Sequence, residues 1–152
     1  MGTPDLDVLP PDLSAHVGYL LVRAGKHAQR LFSAQIATLG LRPALADVVI
    51  LLRARGSLSQ VEIATTLAIE RAHLVALLDQ LEALGFVLRS ADPADRRRHA
   101  VTLTEAGTTA AERLGGMAEA VEGLLLADLS DEEREQFRSL LQRMARRAEE
   151  GA

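Results

Sequence analysis

Residues 89–98 hold four arginines, and three of them, Arg96, Arg97 and Arg98, are consecutive. A guanidinium stays charged and presents a planar fork of donors suited to phosphate. The cluster stands out because the chain as a whole carries a net charge of −4. Just before it, residues 59–88 hold Arg71 against Glu62, Glu70, Asp79 and Glu82. A short basic segment in an acidic chain is either a local phosphate-binding element or a solvated loop, and composition leaves both open. Other chemistry is sparse. There is no Gly-rich phosphate loop, no Gly-x-Ser-x-Gly, no metal-binding helix motif and no pair of carboxylates sharing a helix face. No enzymatic turnover and no cofactor are expected. The histidines, at 16, 27, 73 and 99, are scattered, with no i, i+4 pair, so no metal site is expected. The chain has no cysteine, which excludes disulfides, thiolate metal sites and a thiol redox switch. One further polar set is regular: His16, Tyr19, Arg23 and His27 recur at three- and four-residue steps and would form a stripe on a helix.

The elements that must position these residues follow from periodicity. Leu13, Val17, Leu20, Leu21, Ala24, Ala28, Leu31, Phe32, Ile36 and Leu39 predict a long amphipathic helix over 13–39, capped by Asp12 and stopped by Gly40. Pro43 suits the first turn of a second helix that runs to Arg55 and ends at Gly56. Ser59-Gln60-Val61-Glu62 is a capping box opening a short helix over 60–67. Another helix follows within a few residues, from Arg71 to Leu84, with Leu74, Leu77, Leu78 and Leu81 on one face and Gly85 as its left-handed end. The period then changes. Residues 86–89 and 100–103 read as strands joined through a turn at 92–95, which puts the arginine run near the tip of a hairpin. Thr104 caps a helix over 105–127, and Ser130-Asp131-Glu132-Glu133 is a second capping box opening the last helix. The fold class is mainly α with a small β-hairpin: a winged helix-turn-helix over 43–104, flanked by helices at 12–40 and 105–149, after a frayed tail at 1–11.

At 152 residues, 48% of them apolar and 25% charged, the chain has the makeup of one globular domain. No apolar run approaches a membrane span. The first residues carry acids and no basic segment, unlike a signal peptide, so a cytoplasmic location is expected.

Ser59 to Gly107 resembles the winged helix-turn-helix of the MarR (multiple antibiotic resistance regulator) family. The resemblance rests on Ser59-Gln60 at the start of the short helix and on Leu81-Glu82 to Gly85 at the end of the next. It continues with Arg89, Asp92-Pro93 and Asp95-Arg96-Arg97 in the wing, and with Leu103-Thr104-Glu105-Ala106-Gly107 after it. The flanking helices also fit, so it covers nearly the whole chain. It implies a homodimer held by the terminal helices and bound to a pseudo-palindromic double-stranded DNA operator. It also implies a repressor whose DNA affinity falls when a small aromatic or acidic ligand binds.

On that reading Arg97 enters a narrow minor groove, where negative potential is concentrated. Asp95 pairs with Arg97 and fixes its direction, while Arg96 and Arg98 meet phosphates. Ser59 and Gln60 bring a helix N-terminus to a phosphate. The face of the recognition helix carries Arg71, Ala72, His73, Ala76 and Gln80. Family members often hold a small hydroxyl residue where Ala72 and His73 stand, so direct readout here is sparse. His73 can meet a guanine edge, and Ala72 or Ala76 a thymine methyl. For the ligand, the resemblance suggests a pocket between the first, second and fifth helices. There Arg23 can hold a carboxylate, with His16, Tyr19, His27 and Arg53 as further candidates; a mixed polar subunit rim explains the same stripe. The missing hydroxyls and the acidic recognition segment keep a second reading open, a MarR-like dimer that acts through a protein partner with weak or no DNA binding.

Overall fold

The computed structural model describes residue 13, residues 15–91 and residues 99–150, with only the backbone given for His99 and residues 148–150. Helix α1 spans Val17–Ile36 and passes into a 3-10 turn, Ala37–Leu39. Gly40, at φ 70°, stops it as expected. The structure starts α1 at Val17 after His16, later than the periodicity suggested; the Asp12 cap lies outside the described residues. Helix α2 is Pro43–Arg55, with proline in its first turn.

Strand β1, Leu58–Ser59, precedes α3, Gln60–Thr66. Helix α4 is Arg71–Ala83, strands β2 and β3 are Val87–Ala91 and His99–Leu103, and helices α5 and α6 are Glu105–Leu125 and Asp131–Glu150. The hairpin is therefore part of a three-stranded antiparallel sheet, ordered β1-β3-β2. Leu58 faces Val101, and Val87 faces Leu103. Strand β1 was not anticipated: two residues are too few to show alternation, and they run straight into the capping box.

The core is built mainly from the middle of the chain. Leu74, Leu77, Leu78 and Leu81 of α4 are fully buried, together with Val48 and Val49 of α2, Ile63 of α3, Val101 of β3 and Leu114 of α5. Burying four leucines stabilises by roughly 1.5–3 kcal/mol each, which fixes the inner face of α4 and so decides which residues face outward. The terminal helices behave differently. Of the long apolar stripe on α1, only Ile36 is buried, while Val17 and Leu20, and Leu13 before the helix, are exposed. In α6 no described side chain is buried, and Phe137, Leu140 and Met144 are exposed. These stripes are amphipathic, and the described residues of the chain leave them largely uncovered.

Candidate nucleic-acid interface

Helices α3 and α4 form the helix-turn-helix. Ser59 Oγ accepts the Glu62 backbone N–H at 3.2 Å, and Glu62 accepts the Ser59 N–H at 2.7 Å, so both halves of the capping box close. The turn into α4 is tight because Ala68 adopts φ 52°. There its N–H reaches the Thr65 carbonyl at 3.3 Å, and the Ile69 N–H reaches the Ala64 carbonyl at 3.0 Å. At the other end of α4, Gly85 at φ 73° makes a Schellman closure. The Gly85 N–H donates to Glu82 O and the Phe86 N–H to Leu81 O, each at 2.9 Å.

Arg71, Ala72, His73, Ala76 and Gln80 all lie on the exposed side of α4, as the leucine face requires. Gln80 is partly committed, since its Nε2 donates to the Ala76 carbonyl at 3.1 Å. The polar groups free to reach outward on this face are thus few, in keeping with sparse base readout. Gln60 and Ser59 are half-buried at the N-terminus of α3. Asp95, Arg96, Arg97 and Arg98 lie outside the described residues, but the paired strands β2 and β3 that carry them are defined, with Ala91 opposite His99.

Two connections tie the hairpin to its surroundings. The first is at its base. The Thr104 N–H donates to Phe86 O at 3.0 Å, and Thr104 Oγ1 donates to Gly85 O at 2.6 Å while accepting the Gly107 N–H at 3.0 Å. Gly107 packs directly on that turn, where a Cβ would stand 1.9 Å from the Phe86 carbonyl oxygen. The start of α5 is therefore clamped to the end of α4. The second connection was not singled out in the sequence. Arg89 on β2 donates its backbone N–H to Glu82 Oε1 at 3.0 Å and its Nε to Glu82 Oε2 at 2.9 Å, and its Nη2 also reaches Glu82. The same Nη2 lies 2.6 Å from Asp79 Oδ1. The Arg89 side chain and backbone N–H hold the Glu82 carboxyl below the usual range, and Glu82 and Asp79 raise the Arg89 guanidinium.

The stripe proposed for ligand sensing resolves into local pairs. The Arg23 guanidinium sits 6.0 Å from the centroid of the Tyr19 ring. Arg30 Nη2 lies 3.2 Å from His27 Nδ1, and His16 is exposed at the helix start. Arg53 on α2 approaches Glu112 of α5 at 3.9 Å. A groove of about 520 Å³ opens elsewhere, between α1, α5 and α6, where Phe32, Val121, Leu125, Phe137 and Leu141 meet Arg134 and Arg138. Both arginines are engaged: Arg134 Nε donates to Leu126 O and Leu129 O, and Arg138 bridges Glu122 and Glu135. Sequence reasoning gave this groove no role, although the apolar stripes of α1 and α6 point to it.

Comparisons with known proteins agree with this architecture. Residues 41–99 match the model of the MarR family. The HTH-type transcriptional repressor NicR of Pseudomonas putida is 30% identical over 139 residues, covering 91% of this chain and 88% of NicR. The transcriptional repressor CouR, solved bound to a 23-mer DNA duplex, is 36% identical with a TM-score of 0.78, covering 89% of this chain and 96% of CouR. BpsR of Bordetella bronchiseptica, whose structure concerns regulation of DNA binding by 6-hydroxynicotinic acid, is 32% identical with a TM-score of 0.73, covering 90% of this chain and 98% of BpsR. Family, fold and regulator class agree, and the class is not one of enzymes. This chain belongs to the MarR family of winged helix-turn-helix transcriptional regulators.

Proposed function

We propose that this protein is a cytoplasmic homodimeric repressor that binds a pseudo-palindromic operator and releases it when a small aromatic or acidic ligand binds. The observation that carries the DNA-binding reading is the outward face of α4, held by four buried leucines beside the β2–β3 hairpin. In this arrangement α4 enters the major groove and the hairpin lies along the neighbouring minor groove. His73 and Arg71 supply donors for base edges or phosphates, and Ala72 and Ala76 offer small apolar contacts. Asp95 directs Arg97 into the minor groove, Arg96 and Arg98 contact phosphates, and Ser59 and Gln60 present a helix end to the backbone. The likeness to CouR on its duplex supports this placement.

The dimer reading is supported by the exposed apolar residues of the terminal helices. Val17 is 72% exposed and Leu124 63%, and α6 packs only lightly on its own subunit. Covering that face with a second copy removes it from water. The ligand reading is supported by BpsR and its aromatic acid. In this chain Arg23, with its guanidinium 6.0 Å from the Tyr19 ring centroid, is the group to hold a carboxylate, and His16, Tyr19 and His27 on the same stripe and Arg53 on α2 are the further candidates.

The test combines light scattering with fluorescence anisotropy on operator duplexes. The expected result is a dimer at micromolar concentration whose DNA affinity falls in Arg97→Ala and whose salt dependence becomes shallower. Arg23→Ala keeps DNA affinity but no longer responds to an aromatic acid that releases the wild type. A monomer, or an Arg97→Ala variant with unchanged binding, contradicts the corresponding part.

A further inference from the structure

The recognition segment is acidic, with Glu62, Glu70, Asp79 and Glu82 against Arg71, a poor composition for a surface that meets phosphates. Along α4, residues 72, 76 and 79 follow one another at steps of four and three and so fall on one line of the helix. Asp79 therefore shares the outward face with Ala72 and Ala76, and its side chain is 58% exposed. Glu82 is turned toward β2, where it accepts the Arg89 N–H and guanidinium. The Nη2 of that same arginine reaches back to Asp79 at 2.6 Å. One arginine holds both carboxylates, and its own side chain is only 23% exposed.

We propose that Arg89 is a positioning residue for DNA binding: it masks the charge of Asp79 and Glu82 on the recognition helix while tying that helix to the wing strand. The proposal rests on the DNA-binding reading of α4. Without the Arg89 guanidinium, two carboxylates three residues apart lose their shared cation, although Glu82 keeps the backbone N–H of residue 89, and Asp79 stands in line with the residues that enter the groove. Their repulsion of phosphate acts over several ångströms and is screened by salt. A brace with no electrostatic part behaves differently: its loss misplaces the hairpin, and removing the carboxylates does not repair that.

The experiment uses the full chain and a fluorescein-labelled duplex that the wild type retains from genomic fragments. Arg89→Met keeps the aliphatic stem and removes the charge. It is expected to weaken binding roughly tenfold at about 0.1 M salt, with a smaller loss at higher salt. Adding Asp79→Asn and Glu82→Gln to Arg89→Met is expected to restore affinity to within about threefold of wild type, although the ion pairs stay absent. Unchanged binding by Arg89→Met overturns the proposal, and so does a loss that the two amides fail to relieve. Should Arg89→Met not fold, Asp79→Asn/Glu82→Gln with Arg89 intact decides the matter. Binding at least as tight as wild type supports masking, and weaker binding overturns it. A wild-type chain that retains no duplex overturns the DNA-binding reading itself, a result distinct from all of these.

Discussion

Replacing Gly107 by alanine should strain the joint between α4, the wing and α5 and destabilise the fold. The added methyl would stand 1.9 Å from Phe86 O, 2.8 Å from Phe86 C and 3.2 Å from Leu103 Cδ2. Two of these are backbone atoms and cannot rotate away, so α5 or the Gly85–Phe86 turn must shift by about 1 Å or more to reach ordinary contact. That shift strains the hydrogen bonds from the Thr104 N–H to Phe86 O and from Thr104 Oγ1 to Gly85 O. Overpacking costs roughly 1–3 kcal/mol, and each weakened hydrogen bond about 1 kcal/mol more. Alanine in a helix returns up to about 1 kcal/mol relative to glycine. The net expectation is a loss of about 2–4 kcal/mol, or a fall in Tm of roughly 4–16 °C for a chain of this size. Thermal unfolding followed by circular dichroism reads this directly. Gly116→Ala on the same helix, where a Cβ meets nothing within 4 Å, is the matched control and should keep or raise Tm. A Gly107→Ala protein that melts with the wild type refutes the close approach, and with it the idea that α5 is clamped to the recognition helix.

Ala68 holds φ 52° in the turn between α3 and α4, a region that disfavours a Cβ, so Ala68→Gly should raise unfolding free energy by roughly 0.5–1 kcal/mol in urea titration; a loss of stability contradicts it. Ser59→Ala removes the acceptor for the Glu62 N–H and should cost about 1 kcal/mol, measured the same way. Because Arg89 lowers the folded-state pKa of Glu82, their pairing contributes stability that is fully present above the unfolded glutamate range of about 4.3 and is lost as pH falls through the lower folded value. Urea midpoints from pH 7 down to the acid range should show this loss in wild type and a smaller one in Arg89→Met.

Much of this was readable before any coordinates. The leucines of α4 recur at helical steps, and all four are buried, which leaves Arg71, Ala72, His73, Ala76 and Gln80 exposed on the other side. Ser59 and Ser130 each have a glutamate three residues on, and both boxes close in the structure, while Thr104 caps its helix through the Gly107 N–H alone. Features that depend on distance in sequence were not legible. Arg89 meets Glu82 seven residues away and Asp79 ten away, across a turn, and no periodicity reports such a pairing. Strand β1 exists only because Leu58–Ser59 find β3 more than forty residues later. The periodicity of α1 shows an apolar face, and Val17 and Leu20 on it are exposed, because periodicity shows that a face is apolar without showing what covers it. The polar stripe likewise placed Tyr19, Arg23 and His27 on one helix but could not say what each would pair with.

DNA binding itself is tested by having the wild-type protein, refolded without small molecules, select from genomic fragments that include its own upstream region. Defined duplexes with two half-sites about one helical turn apart should be retained, with an affinity that falls steeply as salt rises. Retention of no duplex above a random background, by a protein that is folded and dimeric, would contradict DNA binding.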